Sequence, residues 1–452
     1  MTPHTLWFEQ ALLPGGWAAR VRLTLAEGRI NAIEHDVQAM ASDDRHAIGL
    51  PGMSNLHSHA FQRAMAGLTE KAAGVEDSFW GWRDLMYRFT ARIGPVELQA
   101  IAALAYIEML ESGFTQVGEF HYLHHAFDGT MFTDPAEMGA AICAAAAETG
   151  IGMTLLPVFY AHSGFGGAAP LAEQRRFTST VSAFSDLVES SRRHVALLDG
   201  GVLGLAPHSL RAVTPAELSD IAALGAAMPM HIHIAEQVAE VEACVAALGR
   251  RPVAWLLDTG LVDDRWCLVH ATHLDASEIS RLATSRAVAG LCPLTEANLG
   301  DGIFPAVDYL SAGGRFGVGS DSNVLIQMGE ELRWLEYAQR LTRRSRNLCA
   351  TQGQSTGMSL FSAAVRGGGQ ALGVSSGLAI GNAADIVSLK SGHPTIAGKT
   401  GDEIVDGFIF AAAQAPIDCV WRYGRKQVKE GRHRLRERIL ADYPKVLEAL
   451  RA

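Results

Sequence analysis

The sequence predicts an α/β fold: a (β/α)8 TIM barrel carrying a small β-sandwich domain formed by both chain termini. Three observations carry this reading. Between about residues 50 and 322, short apolar runs recur between longer Ala- and Leu-rich segments with helical spacing, the alternation that builds a parallel sheet. The runs number eight, as a closed parallel barrel requires. The flanks on either side read as short strands with turns, unlike the middle.

In chain order, residues 1–50 come first. The stretch ARVRLTLAEGRINAIEHD alternates apolar and polar residues around Glu27-Gly28, a hairpin pattern. The eight runs then lie near 52–57, 115–121, 152–159, 202–208, 229–234, 266–270, 288–292 and 315–321. From Gly377 the text is again strand-like, in ADIVSLK and FIFAAAQAPIDCVWRYGRKQVKEGRH, before a helical end, RLRERILADYPKVLEALRA. The expected division is 51–376 for the barrel, with 1–50 and 377–452 forming the small domain and a terminal helix.

A chain of 452 residues, 48% hydrophobic and 19% charged, can bury a core of this size. No apolar run approaches the roughly 20 residues of a membrane helix, and MTPHTLWFEQALL has no basic segment followed by an apolar signal core. A cytoplasmic protein without a membrane partner is expected. The formal charge of -10 argues against a nucleic-acid surface. The short basic stretch from Arg422 to Lys426 reads as a solvated segment. Six scattered cysteines with no CxxC pair read as reduced thiols.

A closed parallel barrel exposes catalytic groups at the carboxyl ends of its strands. In this sequence those positions are repeatedly His or Asp. The first run ends in Leu56-His57-Ser58-His59, and strand residues two apart point the same way. The fifth ends in His231-Ile232-His233-Ile234-Ala235-Glu236, the sixth in His270, the eighth in Asp321. These ends converge on one mouth of the barrel, where a zinc ion with about four N or O ligands could sit. His57, His59, His233 and Asp321 are the ligands expected, with one ion per chain. The same donors accept iron, manganese or cobalt, since geometry rather than affinity sets preference.

The stretches HSHAFQRAMAGLTE, HIHIAE, LVHATH and GVGSDSN resemble the metal motifs of the amidohydrolase superfamily, in its deaminase branch, and the resemblance spans essentially the whole chain. Many members bridge two metals with a carbamylated lysine at the end of the fourth strand. Here that position reads Ala206-Pro207-His208, and no lysine occurs between Lys71 and Lys390. A lysine bridge and a barrel Schiff base are both excluded. The roles that follow are an ion that brings the pKa of its water toward roughly 7, Asp321 to accept that water's proton, and His270 to hydrogen-bond the attacking oxygen. Glu236 would pass a proton to a leaving nitrogen. The chemistry implied is hydrolytic deamination.

The stretch Val117-Gly118-Glu119-Phe120-His121-Tyr122-Leu123-His124-His125, with His59-Ala60-Phe61-Gln62-Arg63, is similar to the formimidoylglutamate deiminases of histidine degradation. That resemblance implies a dicarboxylic substrate, N-formimidoyl-L-glutamate, a homodimer, and substrate contacts from Gln62, Arg83, Tyr122, His208 and Arg211, arginine forks being suited to carboxylates. A deaminase of a purine, pterin or thioadenosine ring would use the same metal cage. A barrel without activity would have lost a ligand or Glu236, and none is missing. His121, His124 and His125 are expected to pack the loop and line the mouth, and Trp80-Gly81-Trp82 to form a lid.

Overall fold

The computed structural model describes residues 4–70 and 79–451, with the side chains at 79–81, 83, 84 and 451 outside that description. The chain begins with β1 (His4–Leu13), β2 (Gly16–Ala26), β3 (Arg29–Glu34) and β4 (Asp44–Pro51). β1, β2 and β3 form an antiparallel meander, and β4 lies parallel to β1. Ala26 pairs with Arg29 across Glu27 (φ 52°) and Gly28 (φ 79°), the two positive φ values of a twisted two-residue hairpin.

The barrel follows as β5 (Met53–Ser58), β6 (Phe114–His121), β7 (Gly152–Phe159), a broken fourth strand of β8 (Val202–Leu203) and β9 (Ala206–Pro207), then β10 (Met230–Ile234), β11 (Trp266–His270), β12 (Val288–Leu291) and β13 (Arg315–Val318). β5 through β8 and β10 through β13 are two parallel sheets. Parallel bridges join them, Leu205 to Met230 and Ser209 to His233 on one side and Ser58 to Asp321 on the other. These strands are buried on both faces, which is why they read as largely apolar runs, although β6 also buries Thr115, Gln116 and Glu119. The fourth is the exception: Gly204 lies against the Leu156 side chain and the Pro229 backbone, with no room for a Cβ.

After the barrel, β14 (Ile386–Leu389), β15 (Ile417–Arg422), β16 (Arg425–Lys429) and β17 (Arg432–His433) return to the first sheet. β14 pairs with β4, giving one eight-stranded sheet in the order β17-β16-β15-β14-β4-β1-β2-β3. Three strand steps in a flat sheet span about 14 Å, yet the rings of Phe8 on β1 and Trp421 on β15 are 6.5 Å apart. The sheet therefore bends around a core of its own, to which both termini contribute. The Arg422–Lys426 stretch departs from the solvated reading: Arg422 is buried and its Nη2 donates to the Asp199 carbonyl at 3.0 Å, while Arg425 and Lys426 are exposed. The C-terminal stretch also covers the barrel. The helix Arg436–Arg451 lies on the helix Pro95–Ser112, with Arg92 Nη1 donating to the Leu450 carbonyl at 3.0 Å. All six cysteines are buried and unpaired. Among the described residues no helix is long and apolar enough to cross a membrane.

The helix Thr356–Leu372 crosses under the barrel. Its last turn offers the Ala371 carbonyl to His231 Nε2 on β10 at 2.8 Å and the Leu372 carbonyl to Thr154 Oγ1 on β7 at 3.0 Å. Its middle presses on the opposite strands through glycine: a Cβ on Gly367 would lie 1.9 Å from the Phe316 carbonyl oxygen of β13, and one on Gly368 3.1 Å from Ser54 Cβ of β5. Glycine costs an exposed helix interior about 1 kcal/mol relative to alanine, so Gly367→Ala would stabilise a helix in isolation. Here the sign should reverse. Urea denaturation of Gly367→Ala is expected to show a loss of about 2 kcal/mol or more, because backbone has to move; equal or greater stability would mean that the contact is not tight.

Candidate active site

Four side chains meet at the carboxyl ends of the barrel strands. His57 is the penultimate residue of β5, His59 follows the strand, His233 lies in β10, and Asp321 follows β13. His57 Nε2 is 3.2 Å from His59 Nε2, 2.9 Å from His233 Nε2 and 3.2 Å from Asp321 Oδ1, which is also 3.2 Å from His59 Nε2. Ligand atoms about 3.3 Å apart are what a tetrahedral ion with bonds near 2.0–2.1 Å requires. The protonation states suit an ion. Burial pushes His57 down to about 3 and His233 well below the ordinary histidine range, so both rings are neutral at pH 7. Burial pushes Asp321 up, but hydrogen bonds with His57 and His59 outweigh it and hold the carboxylate ionised. The Phe120 carbonyl accepts from His59 Nδ1 at 2.8 Å, which leaves the Nε2 lone pair free to coordinate. His57 Nδ1 is buried without a partner. Three imidazoles and a carboxylate in this arrangement fit a divalent metal.

The local backbone pays for this convergence. Ala235, His270, Ala271, Asp321 and Asn323 all have positive φ, between 46° and 68°, a region that residues other than glycine seldom enter. Each such residue costs on the order of 1–3 kcal/mol unless its surroundings over-determine it. Around Asp321 they do: Asp321 N donates to the His57 carbonyl and His59 N to the Asp321 carbonyl, both at 2.9 Å. Asn323 Nδ2 donates to Ser58 Oγ, the His59 carbonyl and the Asp321 carbonyl, each at 3.1 Å. Ser320 Oγ donates to Asn323 Oδ1 at 2.6 Å and itself accepts from Asn55 Nδ2 at 2.6 Å.

A second, acidic group adjoins the ligands. Glu236 is buried three residues beyond His233, and its Oε1 is 3.8 Å from His270 Nε2. His270 Nδ1 is 3.3 Å from Glu296 Oε1. Burial opposes a charge on His270, but the charge of Glu236, the hydrogen bond with Glu296 and the charge of Asp321 together lift it well above its ordinary range. The ring stacks on His233 with centroids 5.5 Å apart and stands outside the four-atom cluster.

One pocket is lined by His59, His233, Asp321, Glu236 and His270, and Gln62, Tyr122, His208 and Arg211 line it too. Gln62 Nε2 donates to Tyr122 Oη at 3.0 Å. Arg211 has a buried Nε without a partner and makes no ion pair among the described residues. The Arg83 side chain lies outside the described residues, as does that of Trp80, while Trp82 lines the pocket. His121, His124 and His125 are buried, but they do not line it. His124 and His125 donate instead to the carbonyls of Val158 and Thr178, each at 2.9 Å. Sequence reasoning missed Glu296 and Asp301. Both lie beyond the strand ends on which it concentrated, and the only signal for them is the pair of acids in PLTEANLGDG.

Residues 48–426 match the amidohydrolase family model. The chain belongs to the amidohydrolase family. Its residues 4–47 match the N-terminal domain of formimidoylglutamate deiminase HutF. This amidohydrolase is 49% identical, over 98% of its length and 99% of the relative's, to formimidoylglutamate deiminase of Pseudomonas aeruginosa. It is 30% identical over 71% of each chain to 8-oxoguanine deaminase of the same organism. The crystal structure of an amidohydrolase from Brucella melitensis superposes with a TM-score of 0.96, at 51% identity, covering 99% of this chain and 100% of that one.

Removing a ligand should remove the metal. His233→Ala and Asp321→Asn, dialysed against zinc and analysed for metal per chain, are expected to retain far less than wild type and to lose its zinc-dependent rise in melting temperature; full occupancy in either variant would strike that residue from the ligand set.

Proposed function

We propose that this chain is a zinc-dependent formimidoylglutamate deiminase that hydrolyses N-formimidoyl-L-glutamate to N-formyl-L-glutamate and ammonia in histidine degradation. The observation that carries the reading is one pocket that holds Glu236 beside the four-ligand cluster and also holds Arg211, a guanidinium with no ion-pair partner among the described residues. Arginine in a partly enclosed pocket is the natural partner of a carboxylate. The relative and the N-terminal domain model of the same name support it.

His57, His59, His233 and Asp321 would hold the zinc ion, which would supply an acidified water at neutral pH. The chain's own groups do the rest. Asp321 accepts the proton of the attacking water. Glu236 carries a proton on its carboxyl oxygen to the leaving nitrogen, so that the C–N bond breaks with release of ammonia. His270, cationic between Glu236 and Glu296, stabilises charge developing on the attacking oxygen. Arg83, Arg211, Gln62, Tyr122 and His208 orient the glutamate carboxylates and the formimidoyl group. The division into a chemical unit at 51–376 and a supporting unit from the two flanks belongs to this reading. So do a homodimer, which rests on the family resemblance, a cytoplasmic location without a membrane partner, which rests on the lack of a long apolar run, and the absence of a nucleic-acid partner, which rests on the acidic balance.

One observation favours a second reading. Trp82, Tyr87, Tyr122, Tyr160 and Phe177 give the pocket an aromatic wall, which would suit a ring such as that of 8-oxoguanine. Tyr122 and Tyr160 pack edge to face on Phe177, at 88° and 61°, and Tyr87 stacks on it at 30°. They offer no ion pair to a dianion, whereas Arg211 does.

Ammonia release from the zinc-loaded protein, offered N-formimidoyl-L-glutamate and 8-oxoguanine separately, should occur with the first alone; turnover of the second alone would replace the substrate and keep the chemistry. Glu236→Gln is expected to keep its zinc and lose about 100-fold or more in kcat. Arg211→Met should raise KM about tenfold or more with little change in metal content. Wild-type kinetics in both variants would remove both roles.

A further inference from the structure

Asp301 stands just past the helix Pro293–Leu299 and is only 4% exposed. Its segment is pinned on three sides. Asp301 N donates to the Glu296 carbonyl at 2.9 Å, its carbonyl accepts from His273 Nε2 at 2.9 Å, and its Oδ1 accepts from Gln237 Nε2, the residue after Glu236. The second oxygen, Oδ2, is buried with no hydrogen-bond partner among the described residues. One carboxyl oxygen of Asp301, one of Glu236 and a ring nitrogen of His270 all lie within 4.8 Å of one another.

A buried, orphaned carboxylate oxygen is costly. Two carboxylates this close, both out of water, do not both keep their charge; they hold a proton between them and titrate as a unit. His270 is one counter-charge to the pair, and Glu296 already engages its other nitrogen. Arg211 is felt at Glu236 and offsets part of the negative charge, whereas Asp321 and Glu296 add to it. The remaining side chain that faces Asp301, His273, is committed to its backbone carbonyl.

We propose that Asp301 is a positioning residue that shares one proton with Glu236, keeping Glu236 in place against His270 and able to give its proton to the leaving nitrogen. This rests on the assignment of Glu236 as the proton carrier. The step is a proton transfer: an O–H bond on one carboxyl group breaks as one on the other forms, one oxygen of each lying within 4.8 Å of the other. Loss of the shared proton leaves two like charges facing each other and makes Glu236 a poorer acid. In the same direction, burial and the charge of Glu236 push Asp301 up to about 9. A raised group acts while protonated, so its contribution is present below that value and is lost as the pH rises through it.

The test is the pH profile of kcat/KM for zinc-loaded wild type and Asp301→Asn, with metal content measured on the same samples. In wild type an alkaline limb should be present. The amide that replaces the carboxyl carries no negative charge to hold the proton on Glu236, so in the variant the limb should move down by at least one pH unit, with zinc unchanged. A limb in the same place, whatever the loss of rate, overturns the proposal, because a merely structural role lowers the rate without moving the limb. A second measurement needs neither the variant nor turnover. Infrared spectra of zinc-loaded wild type with 13C-carboxyl aspartate should contain a protonated aspartic acid band at pH 7 that disappears on alkaline titration. Its absence overturns the proposal even if the variant does not fold. If wild type releases no ammonia from N-formimidoyl-L-glutamate, the substrate reading fails, and the infrared result still decides Asp301.

Discussion

Closure of the barrel between its last and first strands is the constraint on which the site depends. Asp321 and His57 exchange backbone contact across that seam, and His59 N bonds back to the Asp321 carbonyl. Three of the four ligands are therefore set by a single register. A shift of one residue in a strand sends its side chains to the opposite face, so the seam cannot slip and still assemble the cluster. This explains the polar stitching of Asn55, Ser320, Asn323 and Ser58 in an otherwise apolar barrel. These side chains cross-link the two strands by bonds whose geometry tolerates one alignment.

The opposite mouth has the complementary task. A site built from strained strand ends needs a rigid base, and the helix Thr356–Leu372 supplies it by crossing beneath strands on both sides of the barrel. Its glycines lower helical propensity in return for an approach that any side chain would block. The positive φ values cluster at the other end, after β10, β11 and β13, where they redirect chain toward the pocket. The five strained residues of the site lie at the chemical end while the packing that resists them lies below, the usual division of a barrel between a catalytic and a stabilising face.

Electrostatically, the pocket is a layered set of buried charges. The neutral imidazoles of His57 and His233 and an ionised Asp321 belong to the first layer, suited to a cation. Behind them a cationic His270 sits between two carboxyl groups, Glu236 and Glu296, with Asp301 beside Glu236. Each group's state is set by its neighbours more than by its own chemistry, because burial removes the water that would otherwise screen them.

Much of this was legible in the sequence. The apolar runs located the barrel strands to within a residue or two at most ends, since parallel strands buried on both faces are rich in apolar residues, and the His and Asp at the ends of three of them are the groups seen together within 3.2 Å spacings. The fourth strand was legible as one run but is broken at Gly204, because a close approach to Pro229 and Leu156 leaves no trace in polarity. Arg422 looked like solvated charge, yet its guanidinium is drawn inward to the Asp199 carbonyl. His121, His124 and His125 looked like the rim of the mouth and instead pack behind it. Periodicity and residue type determined which groups could reach the barrel mouth. Only the tertiary structure decided which of them face one another there, because Glu296 and Asp301 arrive from a helix and a loop whose direction is set by packing and hydrogen bonds, forces that local sequence pattern does not encode.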